Sequence, residues 1–331
     1  MNHVHRDRAY DEIIDPNRPI VDSHHHLWVH DGQRYLIEEF QADLASGHCI
    51  VATIFAECGA MYRKEGPLAM RSVGEAEFVA GVAAMSDSGL YGPARICAGF
   101  IGSADLTRGD RVEEVIEALN DASGGRLRGI RASVKWDAES GVPVTRPMKP
   151  RGLLLDETYR RGIARVAASG LVLDVGLYHP QLPELCSLAD AFPSLTIVVD
   201  HCGGLLGTGH YASRETFVHW RSLIADAARR PNVLMKVGGL AGKRCGFGFE
   251  QRETPVPASG LSVVWRPYIE TCVEQFGAER CMFESNFPVD RIAGNYRTVW
   301  NALKLASAGC SSEEKDALFS ETARRVYRIQ T

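Results

Sequence analysis

Eight short β-branched runs, each followed by a longer stretch with apolar residues at spacings of three and four, predict a closed parallel α/β barrel. The fold class expected is a (β/α)8 TIM barrel with an extra C-terminal helix. The 331 residues are 45% hydrophobic and 24% charged, which is ordinary globular composition with length enough for a large core. No Pro/Ser-rich or low-complexity tract divides them, so one domain over residues 1–331 is expected.

The strand candidates are residues 20–24, 49–56, 95–101, 127–133, 171–177, 195–200, 232–237 and 280–285, each rich in Val and Ile. Helical patterns fall at 111–121, 156–169, 214–229 and 262–276. The segment Ser311-Ser312-Glu313-Glu314 has the Ser-x-x-Glu form of a capping box, which satisfies free backbone donors at a helix start. A ninth helix running to about Arg328 follows, expected to pack on the outer ring. The stretches 136–155, with three prolines, and 240–260, rich in glycine and charge, are too long for tight turns. Both follow strands, where a barrel builds its active site, so they are expected as lids or substrate walls.

With 37 basic and 41 acidic side chains, the formal charge is −4. That balance offers no basic field for nucleic acid and no patch for anionic lipid. No apolar stretch approaches the roughly 18 to 20 residues of a spanning helix, and residues 1–10 are polar, so a soluble cytoplasmic protein is expected. The nine cysteines are scattered, without a Cys-x-x-Cys pair, and read as reduced core residues. A serine-hydrolase elbow and a Walker loop are absent, and the glycines at 124–129 lack dinucleotide spacing.

Eleven histidines carry the chemical signal. Asp22-Ser23-His24-His25-His26 closes the first strand candidate, and alternation with period two puts Asp22, His24 and His26 on one face, with His25 opposite. His179 ends the fifth candidate and His201 the sixth. Imidazoles converging from strand ends suit a divalent cation with an open position for water. His3, His5, His30, His48, His210 and His219 are expected at the surface or in packing. Arg131 and Lys236, in the fourth and seventh candidates, are strand cations that require a carboxylate from the protein or from a substrate. Tyr62, Arg63, Lys243 and Arg244 lie in loops and receive no individual role.

Asp22 to Trp28, Asp200-His201-Cys202-Gly203-Gly204, Lys236-Val237-Gly238-Gly239-Leu240 and Glu284-Ser285-Asn286-Phe287-Pro288 resemble, in order, the signatures of the amidohydrolase-related family. The likeness runs to Thr322-Ala323-Arg324-Arg325-Val326-Tyr327 and is strongest to its TIM-barrel hydrolases that include sugar lactonases and the pyrone-dicarboxylate lactonase. By that resemblance His24, His26 and His179 are metal ligands, and His201 polarises substrate or orients water. The chain departs from the family at strand eight, where Asn286 stands in place of the aspartate that ligates metal or acts as base. An amide takes no proton at neutral pH, which directs attention to Glu57, Glu284 and Asp290, with Glu57 favoured for its place at the rim. Asp200 is expected to support His201 or the strand geometry.

The reading that follows is a hydrolase of a small cyclic ester bearing hydroxyl or carboxylate groups. His24, His26 and His179 would hold zinc or manganese, His201, Asn286, Glu57 and Glu284 would serve the chemistry, and Arg131 and Lys236 would bind substrate. A variant in which the histidines polarise the carbonyl without metal is a second form of the same reaction. The competing readings are a metal-dependent decarboxylase or hydratase and a barrel that binds a small acid without turnover. The partner expected is a small molecule, with no nucleic acid or membrane; a homo-oligomer is left open.

Overall fold

Valine- and isoleucine-rich runs form strands because branched side chains pack well on a pleated surface. In a computed structural model, which describes residues 12–30, 32–138, 142 and 148–330, they lie where the sequence puts them. In chain order the strands are β1 (Ile20–His25), β2 (Trp28–His30), β3 (Gln33–Tyr35), β4 (Ile50–Ala56), β5 (Arg95–Gly102), β6 (Leu127–Ser133), β7 (Val172–Gly176), β8 (Ile197–Val199), β9 (Val233–Val237) and β10 (Cys281–Phe283). Eight of them form one parallel sheet in the order β1-β4-β5-β6-β7-β8-β9-β10. Bonds from the Asn286 amide to His24 O (2.9 Å) and from the His26 amide to Phe287 O (2.7 Å) join its two ends, and the TIM barrel closes. The small β2–β3 hairpin was not legible as strands, being only three residues on each side.

The four expected helices appear as Glu113–Ala122, Glu157–Ala168, Arg214–Ala228 and Ala258–Phe276. Others at Ile37–Leu44, Val73–Asp87, Leu182–Ala191 and Tyr296–Ala306 complete the ring. The larger apolar core lies between this ring and the outward faces of the strands.

Inside the barrel, alternation builds layers. Val172, Val198, Leu234 and Met282 pack together in the lower interior with Val21, Ile54 and Ala98. Two residues further along the same strands stand Asp174, Asp200, Lys236 and Glu284, all buried. An apolar floor therefore carries a charged storey.

The C-terminal segment departs from its expected place. The capping box forms, with the Glu314 amide donating to Ser311 Oγ (3.2 Å) and the Ser311 amide to Glu314 Oε2 (2.7 Å). The helix Ser312–Asp316 then widens into a π turn at Ala317–Glu321 and resumes over Thr322–Tyr327. Ala323, Tyr327 and Ile329 join the interior floor, so the segment plugs the barrel bottom as well as covering β1 and β10. His3 and His5 lie outside the described residues, as does much of 136–155. Val142 and Met148, which are described, pack on Tyr178 and Leu206 at the barrel mouth.

Candidate active site

Two glycine pairs shape the mouth. After β8, His201, Cys202 and Gly203 all take positive φ, a left-handed run that turns the His201 ring back over the barrel. Gly238 and Gly239 follow β9; a Cβ at Gly238 would strike Glu284, and one at Gly239, whose φ is 61°, would be driven into the His201 ring. The Gly-Gly of the Lys236–Leu240 motif is thus required by how closely its backbone approaches the site.

On β1 the expected alternation fails at a register shift between Asp22 and His25. The Asp22 carboxylate leaves the face of the imidazole rings to accept from Ser285 Oγ (2.6 Å), Tyr296 Oη (3.0 Å) and the His24 amide (3.3 Å), and it joins β1 to the outer helix. His24 and His26 do converge, with their Nε2 atoms 3.3 Å apart. His25 is structural, as expected, bonded to Thr53 and stacked on Phe40.

Partners fix the tautomers. His26 Nδ1 lies 2.8 Å from the carbonyl of Ala56 and carries the proton, leaving a lone pair on Nε2. Glu284 Oε1 accepts from the His201 amide (3.1 Å) and also meets Nδ1 (2.7 Å), so Nδ1 is again the donor. His201 Nε2 keeps its lone pair, 3.4 Å from Arg131 Nη2. Burial holds His24, His26 and His201 well below the ordinary imidazole range, assisted at His24 by the Lys236 charge and at His26 by Arg131. All three rings are neutral.

Two carboxylates and two cations surround them. Burial alone would raise Asp200, but Arg131, His24 and Lys236 outweigh it and hold Asp200 ionised. Glu284 is pushed up to about 8 by burial and by repulsion from Asp200; its Oε2 is 3.3 Å from His24 Nδ1. Arg131 Nε bonds Asp200 Oδ2 (2.8 Å), with Glu57 Oε1 3.7 Å from Nη1. Lys236 is fully buried, 2.5 Å from Asp174 and 3.4 Å from His24 Nδ1. Tyr327, from the plug, donates to the same Asp174 (3.0 Å). Breaking one side of such a buried pair costs about 3–5 kcal/mol, so both cations are held firmly by the protein itself.

Of the expected site residues, His24, His26, His201, Glu57, Glu284, Arg131 and Lys236 come together. Asn286, at φ 51°, donates through Nδ2 to Asp290 Oδ1 (2.7 Å). Asp290, which burial pushes up to about 7, also accepts from the Ala241 amide (3.3 Å), so its two oxygens serve Asn286 and the loop after β9. Among the three carboxyls proposed to replace the missing aspartate, Glu284 is the one that contacts two histidines. His179 stands elsewhere: its Nδ1 accepts from the Leu206 amide (3.2 Å) and its ring packs against Tyr211 and His219. With Nδ1 accepting, Nε2 carries a proton and presents a donor, buried without a partner among the described residues. Asp174 is the member that the sequence did not single out, and Asp200, expected beside His201, bonds Arg131 while Glu284 supports His201.

The donor set fits a divalent cation. A tetrahedral zinc site with bonds of about 2.0–2.1 Å has an N···N edge of about 3.3 Å, and the His24 and His26 Nε2 atoms meet that spacing. His24, Asp200 and His201 also each offer a ligand atom, all within 4.8 Å of one another.

Comparison with known proteins agrees with this geometry. A family model described as amidohydrolase matches residues 21–329. The uncharacterized protein y4mH of Sinorhizobium fredii is 30% identical over 96% of this chain and 98% of its own length. An L-fucono-1,5-lactonase of Burkholderia multivorans is 27% identical over 71% of this chain and 73% of its own. A solved amidohydrolase from Burkholderia multivorans with bound zinc superposes with a TM-score of 0.72 at 23% identity, covering 94% and 99% of the two chains. With its strand-end histidines, its charged barrel interior and this match over nearly all its length, the chain belongs to the amidohydrolase family and is an enzyme of that superfamily.

Proposed function

We propose that the enzyme hydrolyses a small lactone, with His201 as general base. The observation that carries this reading is the pairing of a neutral His201, its Nε2 lone pair next to Arg131, with Glu284 fixing Nδ1 behind it. A water at Nε2 gives its proton to His201 as its oxygen bonds the carbonyl carbon. Arg131 Nη2, beside that nitrogen, sets a fixed positive charge where the oxyanion develops. When the ring C–O bond breaks, the leaving alkoxide takes the proton back from His201, and a hydroxy acid departs. Glu284 is the positioning residue: it holds Nδ1, and its ionised form, reached as pH rises toward about 8, stabilises the imidazolium that forms between the two proton transfers.

His24 and His26, through their facing Nε2 atoms, would hold a divalent cation, zinc in the first instance and manganese as the alternative, which when bound would polarise the carbonyl and acidify water. Lactonase relatives at 25–27% identity support a cyclic ester as substrate. The test is a panel of five- and six-membered lactones, L-fucono-1,5-lactone included, followed by acid release. We expect ring opening of at least one lactone and no carbon dioxide from aromatic acids; evolved carbon dioxide with no ester cleavage would replace this reading by a decarboxylase.

A further inference from the structure

Arg131 and Lys236 are each already paired with a carboxylate of the barrel, Asp200 and Asp174, so neither is left without a partner for a second carboxylate. Arg244 differs from both. It lies after β9 in the turn Lys243–Cys245, which belongs to the long 240–260 loop. Its guanidinium donates to Gly239 O (2.9 Å), Cys245 Sγ (2.9 Å) and, at the limit, Leu205 O (3.5 Å). Among the described residues, no carboxylate lies within ion-pair distance of it. It is nonetheless half-buried, and its charge is felt at His201, Tyr178, Asp290 and Glu284, which border the mouth.

Asp290 and Glu284 favour its charge from a distance, but among the described residues its hydrogen bonds go only to carbonyls and sulfur, and its planar fork suits a carboxylate that would meet it directly. We infer that Arg244 receives a carboxylate carried by the substrate, so that the preferred lactone bears an acid group on its ring. The inference rests on the lactonase reading above and narrows it. Gly239 links anchor and base: Arg244 grips its carbonyl, and its backbone comes so near His201 that a Cβ there would enter the ring. A carboxylate held by Arg244 therefore brings the ring of the lactone beside His201.

The probes are 5-oxotetrahydrofuran-2-carboxylate and γ-butyrolactone, which share a ring and differ by the carboxylate. In the wild type the acid lactone should have the higher kcat/KM. Arg244→Gln should lower the ratio of the two kcat/KM values by roughly 10- to 100-fold, mostly through KM of the acid lactone, as expected for loss of one charge-assisted pair. Arg244→Lys, which keeps the charge and loses the fork, should recover part of it. If both lactones lose activity alike in both variants, Arg244 merely braces the loop and the inference is overturned.

Binding separates this inference from the reaction assignment. Calorimetric titration with 2-hydroxyglutarate, the acid lactone's product, should show binding in the wild type and at least tenfold weaker binding in Arg244→Gln. That result supports the anchor even if neither lactone is opened, which would count against the lactonase reading alone. Equal binding in the two proteins overturns the anchor whatever the turnover.

Discussion

His24 and His179 carry the same side chain at the mouth of the same barrel, and their neighbours give them opposite capacities. A metal ligand must present a lone pair. His24 can do so at Nε2 when its Nδ1–H donates to Glu284 Oε2 (3.3 Å) or Asp200 Oδ1 (3.5 Å), which lie as close to it as the Lys236 ammonium does (3.4 Å). At His179 the Leu206 amide already donates to Nδ1, which leaves Nε2–H as a donor. Zinc titration against a chromogenic chelator should therefore show affinity falling at least tenfold in His24→Asn and staying within about threefold of wild type in His179→Asn. Equal losses in the two variants would return His179 to the ligand set. Sequence put both at strand ends; His24 lies in β1, His179 opens a short turn three residues past β7, and the amide that meets its Nδ1 is 27 residues away, beyond the reach of a local pattern.

Among the elements, the parallel strands were legible in place and order, because buried Val/Ile runs are local signals, although 195–200 and 280–285 shorten to Ile197–Val199 and Cys281–Phe283. Parity set Asp22, His24 and His26 on one face. It failed on β1, where a bulge breaks the alternation and separates Asp22 from His24. The turns after strands were legible as motifs but not as geometry: the glycines at 238 and 239 acquire their meaning only when His201 and Glu284 pack against them. Gly239→Ala tests that packing. The substitution places a Cβ against the imidazole at a backbone φ of 61°, so we expect a fall in kcat of at least 100-fold with the far-ultraviolet circular dichroism spectrum unchanged. Full activity would mean that the loop can yield without moving His201.

Across the whole molecule, the C-terminal plug and the active site share one buried network. Tyr327 holds Asp174, Asp174 holds Lys236, and Lys236 reaches both His24 and Asp200 from below. This connection was not legible in the sequence, because Tyr327 and Asp174 are 153 residues apart and meet only when the π turn directs the last helix under the barrel. Tyr327→Phe removes one donor from a buried carboxylate and should lower stability by about 1–3 kcal/mol in urea unfolding. No measurable change would show that Lys236 alone satisfies Asp174. The same network anchors the charges around His201, so the account stands or falls on that residue. The most direct test is the kcat of His201→Asn on the best lactone of the panel. We predict a loss of about 10²- to 10⁴-fold with KM changed only a few-fold, as for removal of a general base. An unchanged kcat would contradict the central claim and remove His201 from the chemistry.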